Sequence, residues 1–186
     1  MTETTAAEGG LSAQIAALIR DIPDFPKPGV TFKDITPLLD DHTTFIAVVR
    51  ALADAGRDAG GAVVVDKVVG MEARGFILAA PVALALGVGF VPVRKPGKLP
   101  WHTRAVSYKL EYGEETLEMH TDALAPGERV LVIDDVLATG GTARATGELV
   151  EQAGGVVHGL AVLLELGFLP GREAVGDIPL TVLHTV

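Results

Sequence analysis

The chain has 186 residues, of which 48% are hydrophobic, and this predicts a folded globular protein with a substantial core rather than a disordered one. Its formal net charge of −9 argues against a general nucleic-acid-binding protein, which would need a basic surface to attract phosphates. The absence of cysteine excludes disulfides, thiolate metal sites and cysteine nucleophiles, so any catalysis must use oxygen, nitrogen or a metal held by oxygens.

The ends and the apolar stretches of the chain suggest its location and its domain organisation. No apolar stretch reaches the roughly 18 residues that a membrane-spanning helix needs, and the first residues lack the basic and apolar blocks of a secretory signal. We therefore expect a cytoplasmic protein without a membrane partner. Residues 1–10 are small and polar and are predicted to form a mobile N-terminal tail, followed by a single domain over residues 11–186.

The first half of the chain alternates between helical and strand patterns after a proline-rich segment. Apolar residues at helical spacing predict a short helix from Leu11 to Arg20, and the prolines of DIPDFPKPGVTFKDITP then favour a stiff, extended path. A helix is predicted from about Thr43 to Ala59. Three further elements follow, which are the buried strand AVVVDKVVG, the helix ARGFILAAPVALALG and the strand VGFVPVRK.

The second half continues the alternation after one irregular segment. Residues 96–112 carry glycine, prolines, Trp101 and Tyr108, a composition typical of a flexible lid, while SYKLEY and ETLEMH alternate well enough for a hairpin around Tyr112 and Gly113. The strand RVLVIDD, a helix from Gly141 to Gln152, and the strands VVHGLAVLLE and LTVLHTV complete the chain. This order predicts an α/β protein with an open, twisted, mostly parallel sheet, helices on both faces, and a lid or hairpin insertion.

Two aspartates followed by a glycine-rich turn form the most informative motif, VIDDVLATGGTARA. Asp134 and Asp135 are predicted at the carboxyl end of a strand, where ligands bind in open α/β sheets. The turn LATGGT leads into a helix, so its backbone N–H groups can hold a phosphate. The sequence lacks both the lysine of a Walker loop and the G-x-G-x-x-G dinucleotide fingerprint. A ligand with one phosphate and vicinal hydroxyls or a chelated cation, such as a ribose 5-phosphate, fits these features, although each pair alone is also ordinary turn chemistry.

A local reversal of charge points to a second anionic group. The segment between Arg94 and Leu110 contains no acidic residue but six basic or potentially basic ones: Arg94, Lys95, Lys98, His102, Arg104 and Lys109. In an otherwise acidic protein, this favours a site for a polyanion. The alternative is a solvated cationic loop.

The segment VLVIDDVLATGGT resembles the motif with which phosphoribosyltransferases of the type I fold bind phosphoribosyl pyrophosphate (PRPP). Three further stretches, DFPKPGVTFKDITPLL, VGMEARGF and VRKPGKLPWHTRAVSYKLEYG, are similar to the adenine phosphoribosyltransferase family. The resemblance extends from about Leu11 to Arg172. It implies purine salvage by a glycosyltransferase that converts adenine and PRPP to AMP and pyrophosphate with Mg²⁺, which is bound with PRPP and not by protein side chains alone.

The resemblance also implies roles for individual residues. The 5-phosphate would be held by Ala138, Thr139, Gly140, Gly141 and Thr142, and the pyrophosphate by Arg74, Arg94, Lys95 and Lys98. Asp134 and Asp135 would bind the ribose hydroxyls and oppose the positive charge of an oxocarbenium-like transition state, with Arg74 acting on the leaving group. Glu111 in LEYG would accept a proton from the base or orient a water that does; by sequence alone, Glu111 is equally well an exposed hairpin carboxylate.

The proline-rich segment would provide the adenine site. The base would be recognised mainly through the main chain of Thr31, Phe32 and Lys33. Phe32 would stack on one face of the base, and Leu166 would cover the other. The alternative for Phe32 is that it fills the core. The family further implies a homodimer. Two other functions stay open at this point: a phosphoribosyltransferase for hypoxanthine or xanthine, and a PRPP-sensing regulator without turnover.

Overall fold

The computed structural model describes residues 3–109 and 113–186. The chain forms two compact units, one up to Val49 and the other from Arg50 to Val186, and each is described by itself. None of the helices in the described ranges is both long enough and apolar enough to span a membrane. The division into a tail over 1–10 and one domain over 11–186 stays a prediction.

The first unit is built from short elements. They are α1 (Glu3–Leu18), β1 (Arg20–Ile22), β2 (Phe32–Asp34), α2 (Thr36–Asp40) and the start of α3 (His42–Asp54). Helix α1 begins at Glu3 rather than at Leu11, because the alanines and glutamates of this segment favour a helix. The proline-rich segment also contains more regular structure than predicted, since β1 and β2 pair as antiparallel strands on either side of Pro23, Pro26 and Pro28.

The second unit contains the predicted parallel sheet. Its strands are β3 (Lys67–Met71), β4 (Gly89–Val93), β7 (Arg129–Leu137), β8 (Val156–Glu165) and β9 (Leu180–Thr185), and they lie side by side in the order β4-β3-β7-β8-β9. Every neighbouring pair is parallel. The fold class is therefore confirmed. The inner strands β7 and β8 contain long apolar runs because both faces of such a sheet are buried.

The helices between these strands place the ligand crevice. Helix α4 (Gly75–Leu86) connects β3 to β4, and α5 (Gly141–Gln152) connects β7 to β8. The two connections run in opposite directions along the sheet, so right-handed crossovers place α4 and α5 on opposite faces. The chain thus changes direction between β3 and β7, and a crevice opens beyond the carboxyl ends of these two strands.

The predicted hairpin is present and is longer than the sequence suggested. Strands β5 (Thr103–Lys109) and β6 (Glu114–His120) pair antiparallel along their whole lengths. Val106, Tyr108 and Leu117 are buried in the same core as the parallel sheet. Only residues 96–102 of the predicted lid are therefore irregular within the described part of the chain, because alternating apolar residues anchor the strand that follows. Whether residues 96–112 close over a ligand stays a prediction.

Candidate active site

Asp134 and Asp135 lie at the crevice, near the carboxyl end of the central strand β7. This strand continues to Leu137, two residues beyond the predicted end. Gly70 of β3 is paired with Ile133, so the loop after β3 and the two aspartates emerge next to each other. Asp134 lines a cavity together with the loop after β7, whereas Asp135 is buried and faces Arg74.

Arg74 joins the loop after β3 to the aspartate pair. Its Nη2 atom lies 2.7 Å from Oδ2 of Asp135, which makes no hydrogen bond within the described residues, so the contact is an ion pair. Helix α4 begins one residue later, at Gly75. A Cβ atom at this position would lie 2.6 Å from Oδ1 of Asp134, so only glycine lets the start of α4 approach β7 this closely.

Burial changes the titration of both aspartates. Burial, followed by the charge of Asp135, raises the pKa of Asp134 well above its ordinary value. Burial also raises the pKa of Asp135, although the neighbouring Arg74 opposes this shift. The buried position therefore disfavours two full negative charges, and a ligand that brings hydroxyl donors or positive charge would relieve this cost.

The loop after β7 forms an anion cradle at the start of α5. Gly140 precedes the helix with φ of 78°, a conformation in which glycine is strongly preferred. The backbone N–H groups of the first helical turn have no carbonyl partner within the helix and point outward. Ala138, Thr139, Gly140 and Thr142 line the same cavity as Asp134, which brings a phosphate site and a carboxylate together. Gly141 is instead covered by the ring of Tyr108.

A short helix that the sequence did not predict supports this cradle. Helix α6 (Gly171–Val175) packs behind the loop, where a Cβ atom at Gly140 would lie 2.7 Å from both the Gly171 carbonyl oxygen and the Cβ of Ala174. Arg172 of α6 donates two hydrogen bonds to Glu165 at the end of β8. The helix is too short to show a periodic pattern, which is why sequence reasoning missed it.

The four predicted pyrophosphate-binding cations lie around the same crevice, and each one is paired with a carboxylate. Arg94 and Lys98 both donate to Glu72, at 3.1 and 2.9 Å. Lys95 donates to Glu115 at 2.9 Å, and Arg74 faces Asp135. Three basic residues of the segment that lacks acids in the sequence are therefore paired with acids from the loop after β3 and from the hairpin.

Glu72 and Glu115 are functional candidates that sequence reasoning missed. Burial disfavours the ionised form of Glu72, but hydrogen bonds from Lys98, from the Lys95 backbone and from Arg94 outweigh it and lower the pKa of Glu72. Hydrogen bonds from Lys95 and Tyr108 lower the pKa of Glu115. The position of Glu72 in the sequence could have identified it as a site residue. It follows strand β3 directly, just as the aspartates follow the apolar residues of β7. Nothing in the sequence marked Glu115.

The predicted adenine-binding residues fall in separate parts of the structure. Leu166 follows β8, and its N–H donates to the carbonyl of Leu137 at 3.0 Å, so it lies next to the end of β7. Thr31, Phe32 and Lys33 belong to the first unit, where Phe32 packs edge-on against Phe25 and Lys33 forms an ion pair with Asp21. Glu111 lies outside the described residues.

The described residues contain no group of three or more histidine, aspartate or glutamate side chains arranged to hold a metal ion. Asp134 in the cavity is an oxygen donor of the kind that Mg²⁺ accepts. A Mg²⁺ ion commonly uses only one or two protein carboxylates when substrate phosphates complete its coordination. The donor set is therefore compatible with a metal that arrives on a phosphorylated substrate.

Comparisons with known proteins identify the family. The phosphoribosyl transferase domain matches residues 35–171. The chain is 71% identical over 177 residues to adenine phosphoribosyltransferase of a Nocardioides species, covering 95% of each chain. It is similar in structure to adenine phosphoribosyltransferase of Thermoanaerobacter pseudethanolicus, with a TM-score of 0.88, 48% identity and coverage of 94% and 99%.

A third relative provides a ligand-bound comparison. The Saccharomyces cerevisiae adenine phosphoribosyltransferase, in complex with an imino-altritol bisphosphate and adenine, matches with a TM-score of 0.88 and 37% identity over 94% of this chain and 99% of the yeast chain. The family match over residues 35–171 includes four strands of the parallel sheet, β3, β4, β7 and β8, and the cradle at the start of α5. The chain therefore belongs to the phosphoribosyltransferases of the type I fold and, within them, to the adenine phosphoribosyltransferase family.

Proposed function

We propose that the protein transfers the phosphoribosyl group of PRPP to adenine, giving AMP and pyrophosphate. The observation that carries this proposal is the cavity in which Asp134 faces the open start of helix α5. A sugar monophosphate needs both features at this spacing. The high identity to adenine phosphoribosyltransferases over nearly the whole chain supports adenine as the base rather than hypoxanthine or xanthine.

The cradle and the aspartates bind different parts of the sugar phosphate. The backbone of Ala138 to Thr142 and the hydroxyls of Thr139 and Thr142 bind the 5-phosphate, as the outward N–H groups of a first helical turn allow. Asp134 accepts hydrogen bonds from ribose hydroxyls, and Asp135 adds negative charge while it holds Arg74. As the bond from C1 to pyrophosphate breaks, these carboxylates stabilise the positive charge that develops on the sugar.

At the leaving group, the cations must exchange partners. Pyrophosphate is bound by Arg74, Arg94, Lys95 and Lys98, and each of these cations must leave or share the carboxylate with which it forms an ion pair. Mg²⁺ bound with PRPP would neutralise part of the pyrophosphate charge, and Asp134 is the carboxylate of the cavity that could contribute to holding it. The pairing keeps the cations ordered before the substrate binds, and it lowers the net positive charge that the empty enzyme exposes.

The base site and the proton acceptor belong to the same proposal. Thr31, Phe32 and Lys33 read adenine, Leu166 covers one of its faces, and Glu111 accepts the proton that the ring loses or positions a water for it. A main-chain carbonyl that accepts from the exocyclic amine would reject a 6-oxo purine, because the carbonyl would then be left unpaired.

We also propose a homodimer in the cytoplasm. Helix α4 and the adjacent edge strand β4 expose three apolar side chains, Ile77, Leu84 and Phe90, and Leu84 is 83% exposed. Apolar groups on neighbouring elements favour burial against a second copy. The charged sugar pyrophosphate does not cross membranes unaided, so the enzyme must work in the compartment where this donor is made.

An assay with the four common purine bases tests the proposal. The purified protein is incubated with PRPP, Mg²⁺ and adenine, guanine, hypoxanthine or xanthine, and nucleotide formation is measured. We expect AMP from adenine and little product from the other bases. A preference for a 6-oxo purine would replace adenine with that base, and binding of PRPP without turnover would instead favour a sensor. Glu111→Gln should reduce kcat if this carboxylate takes part in proton transfer.

A further inference from the structure

A chain of polar contacts connects the cationic side of the site to the phosphate cradle. Lys95 Nζ donates to Glu115 Oε1 at 2.9 Å, and the Tyr108 hydroxyl donates to Glu115 Oε2 at 2.9 Å. The same Tyr108 oxygen lies 3.0 Å from Oγ1 of Thr142. Both Tyr108 and Glu115 are on the β5–β6 hairpin, whereas Thr142 is in the first turn of α5 and lines the cradle.

The number of hydrogens on each group decides which atom donates in each of these hydrogen bonds. A tyrosine hydroxyl has one hydrogen, and an ionised carboxylate can only accept. Lys95 and Tyr108 both lower the pKa of Glu115, so this carboxylate is ionised at neutral pH and takes the Tyr108 hydrogen. The Tyr108 oxygen can then only accept from Thr142. The Thr142 hydrogen therefore points toward Tyr108 and is not available to a phosphate.

The position of Tyr108 leaves little freedom to avoid this contact. Its side chain is only 5% exposed, and its ring carbons would lie 3.0 Å from a Cβ atom placed on Gly141. The ring is thus packed against the backbone of the cradle itself. Burial raises the pKa of Tyr108, so its hydroxyl stays protonated throughout the physiological range.

We propose that Glu115 acts through Tyr108 as a positioning residue that restrains the Thr142 hydroxyl, so that this hydroxyl can bind a 5-phosphate only after it gives up Tyr108. The inference rests on the proposed function and deepens it. Thr142 has one hydrogen to donate, and binding a phosphate through it therefore costs the enzyme the hydrogen bond between Thr142 and Tyr108. Without Glu115, the Tyr108 hydrogen is free to turn to Thr142, and the Thr142 hydrogen can point into the cradle before any ligand arrives.

The restraint has a specific consequence for the reaction. PRPP and AMP share the 5-phosphate, so both bind against the restraint, but only PRPP carries a pyrophosphate that also engages Lys95 and the other cations. A cradle with reduced phosphate affinity raises the dissociation constants of AMP and PRPP by the same factor, but PRPP keeps the contacts of its pyrophosphate with the cations, which AMP lacks. Glu115 and Tyr108 favour release of AMP after the transfer.

Binding of AMP to purified variants tests this inference. The dissociation constant is measured by calorimetry for the wild type, Glu115→Ala, Tyr108→Phe and the double variant. Because the hydrogen bond between the Thr142 and Tyr108 hydroxyls is no longer lost on binding, we expect Glu115→Ala and Tyr108→Phe each to bind AMP about fivefold to tenfold more tightly. Glu115→Ala should add only a small effect in the Tyr108→Phe background, since the restraint acts through Tyr108.

Two controls separate this restraint from a general charge effect and from a change elsewhere in the nucleotide site. Glu114→Ala removes the same charge from the adjacent, exposed position of β6, and it should change AMP affinity less than twofold. Adenosine lacks the phosphate, so its binding should not respond to Glu115→Ala or Tyr108→Phe. Tyr108→Phe keeps the ring that packs on the cradle, so it provides a test even if Glu115→Ala folds poorly.

Several outcomes would overturn the inference. Weaker AMP binding by Tyr108→Phe would mean that the hydroxyl supports the cradle instead of restraining it. Equal effects of Glu115→Ala in the wild-type and Tyr108→Phe backgrounds, or an effect matched by Glu114→Ala, would indicate a general charge effect. If the wild type bound no AMP at all, the proposed function itself would fail, and this outcome is distinct from AMP binding that the substitutions leave unchanged.

Discussion

The phosphate side and the pyrophosphate side of the crevice are built in opposite ways. The cradle and its aspartates come from one continuous stretch, Asp134 to Thr142, at the junction of β7 and α5. The cations come from separate loops, after β3 and after β4, and each contacts a carboxylate. The backbone of the cradle is thus shaped before a ligand arrives, and only the Thr142 hydroxyl must change its partner, whereas every cation on the other side must exchange an ion pair for the ligand. The phosphate cradle and the ion-paired cations should therefore respond differently to substitution.

The largest effect is expected where the preformed cradle is altered directly. Gly140→Ala would place a Cβ atom 2.7 Å from the Gly171 carbonyl oxygen, at a residue with φ of 78°, so the loop must move away from α6. We expect AMP affinity to fall by a factor of about 100 or more, because several charge-assisted hydrogen bonds from one loop are displaced together. Calorimetric titration with AMP measures this change.

A matched glycine provides the control for Gly140→Ala. Gly127 has φ of 82° but open space around its Cβ position. Gly127→Ala should cost about 1 kcal/mol of stability from the left-handed conformation and leave AMP affinity unchanged. Equal losses of AMP affinity in the two variants would mean that general destabilisation, and not the shape of the cradle, controls binding.

The next effect concerns the ion pair that joins the two sides. Asp135→Asn removes the partner of Arg74 and one of the carboxylates that oppose positive charge on the sugar. We expect kcat/KM for AMP formation to fall by a factor of about 100, because electrostatic stabilisation of a transition state commonly contributes several kcal/mol. Steady-state kinetics with adenine and PRPP tests this. An unchanged kcat/KM would show that Asp135 only fills space.

On the side of the ion-paired cations, we expect a smaller effect, which is an increase in ligand affinity. Glu72→Gln weakens the contacts that hold Arg94 and Lys98, so both cations are released to an incoming anion at lower cost. We expect inorganic pyrophosphate to bind about threefold to fivefold more tightly, while AMP affinity stays the same. Loss of pyrophosphate binding would instead show that Glu72 keeps these cations in the geometry that the ligand needs.

The pH dependence of stability should have opposite signs on the two sides. The raised pKa of Asp134 means that the folded state loses stability as pH rises above the ordinary value of about 3.9 toward the raised one. The lowered pKa of Glu72 contributes stability above its ordinary value of about 4.3, and this contribution is lost as pH falls through the lowered pKa.

Substitutions make this contrast measurable by urea unfolding. At pH 7, Asp134→Asn should raise the free energy of unfolding, and Glu72→Gln should lower it, each by about 1 kcal/mol. The gain in Asp134→Asn should disappear below about pH 4, where wild-type Asp134 is protonated in both states. If both substitutions shifted stability in the same direction, the proposed difference between the two sides would be wrong.

Much of the fold and half of the site were predictable from local patterns. The alternation of apolar runs and helical periods predicted the parallel sheet, and the bounds of α5 and β8 agree with the prediction because long periodic segments carry a strong signal. Short elements were missed, including α6, because five residues show no period. The phosphate-binding motif around Asp134 could be predicted because all of its residues are adjacent in the sequence.

The amino-acid sequence by itself determined that a carboxylate pair and an anion cradle share one strand-to-helix junction, since backbone geometry places neighbouring residues together whatever the rest of the chain does. Only the tertiary structure decided that Glu72 neutralises Arg94 and Lys98, and that Glu115 reaches Thr142 through Tyr108. These partners lie about 7 to 34 residues apart in the chain, and their contacts depend on strand order, register and the packing of the hairpin on α5.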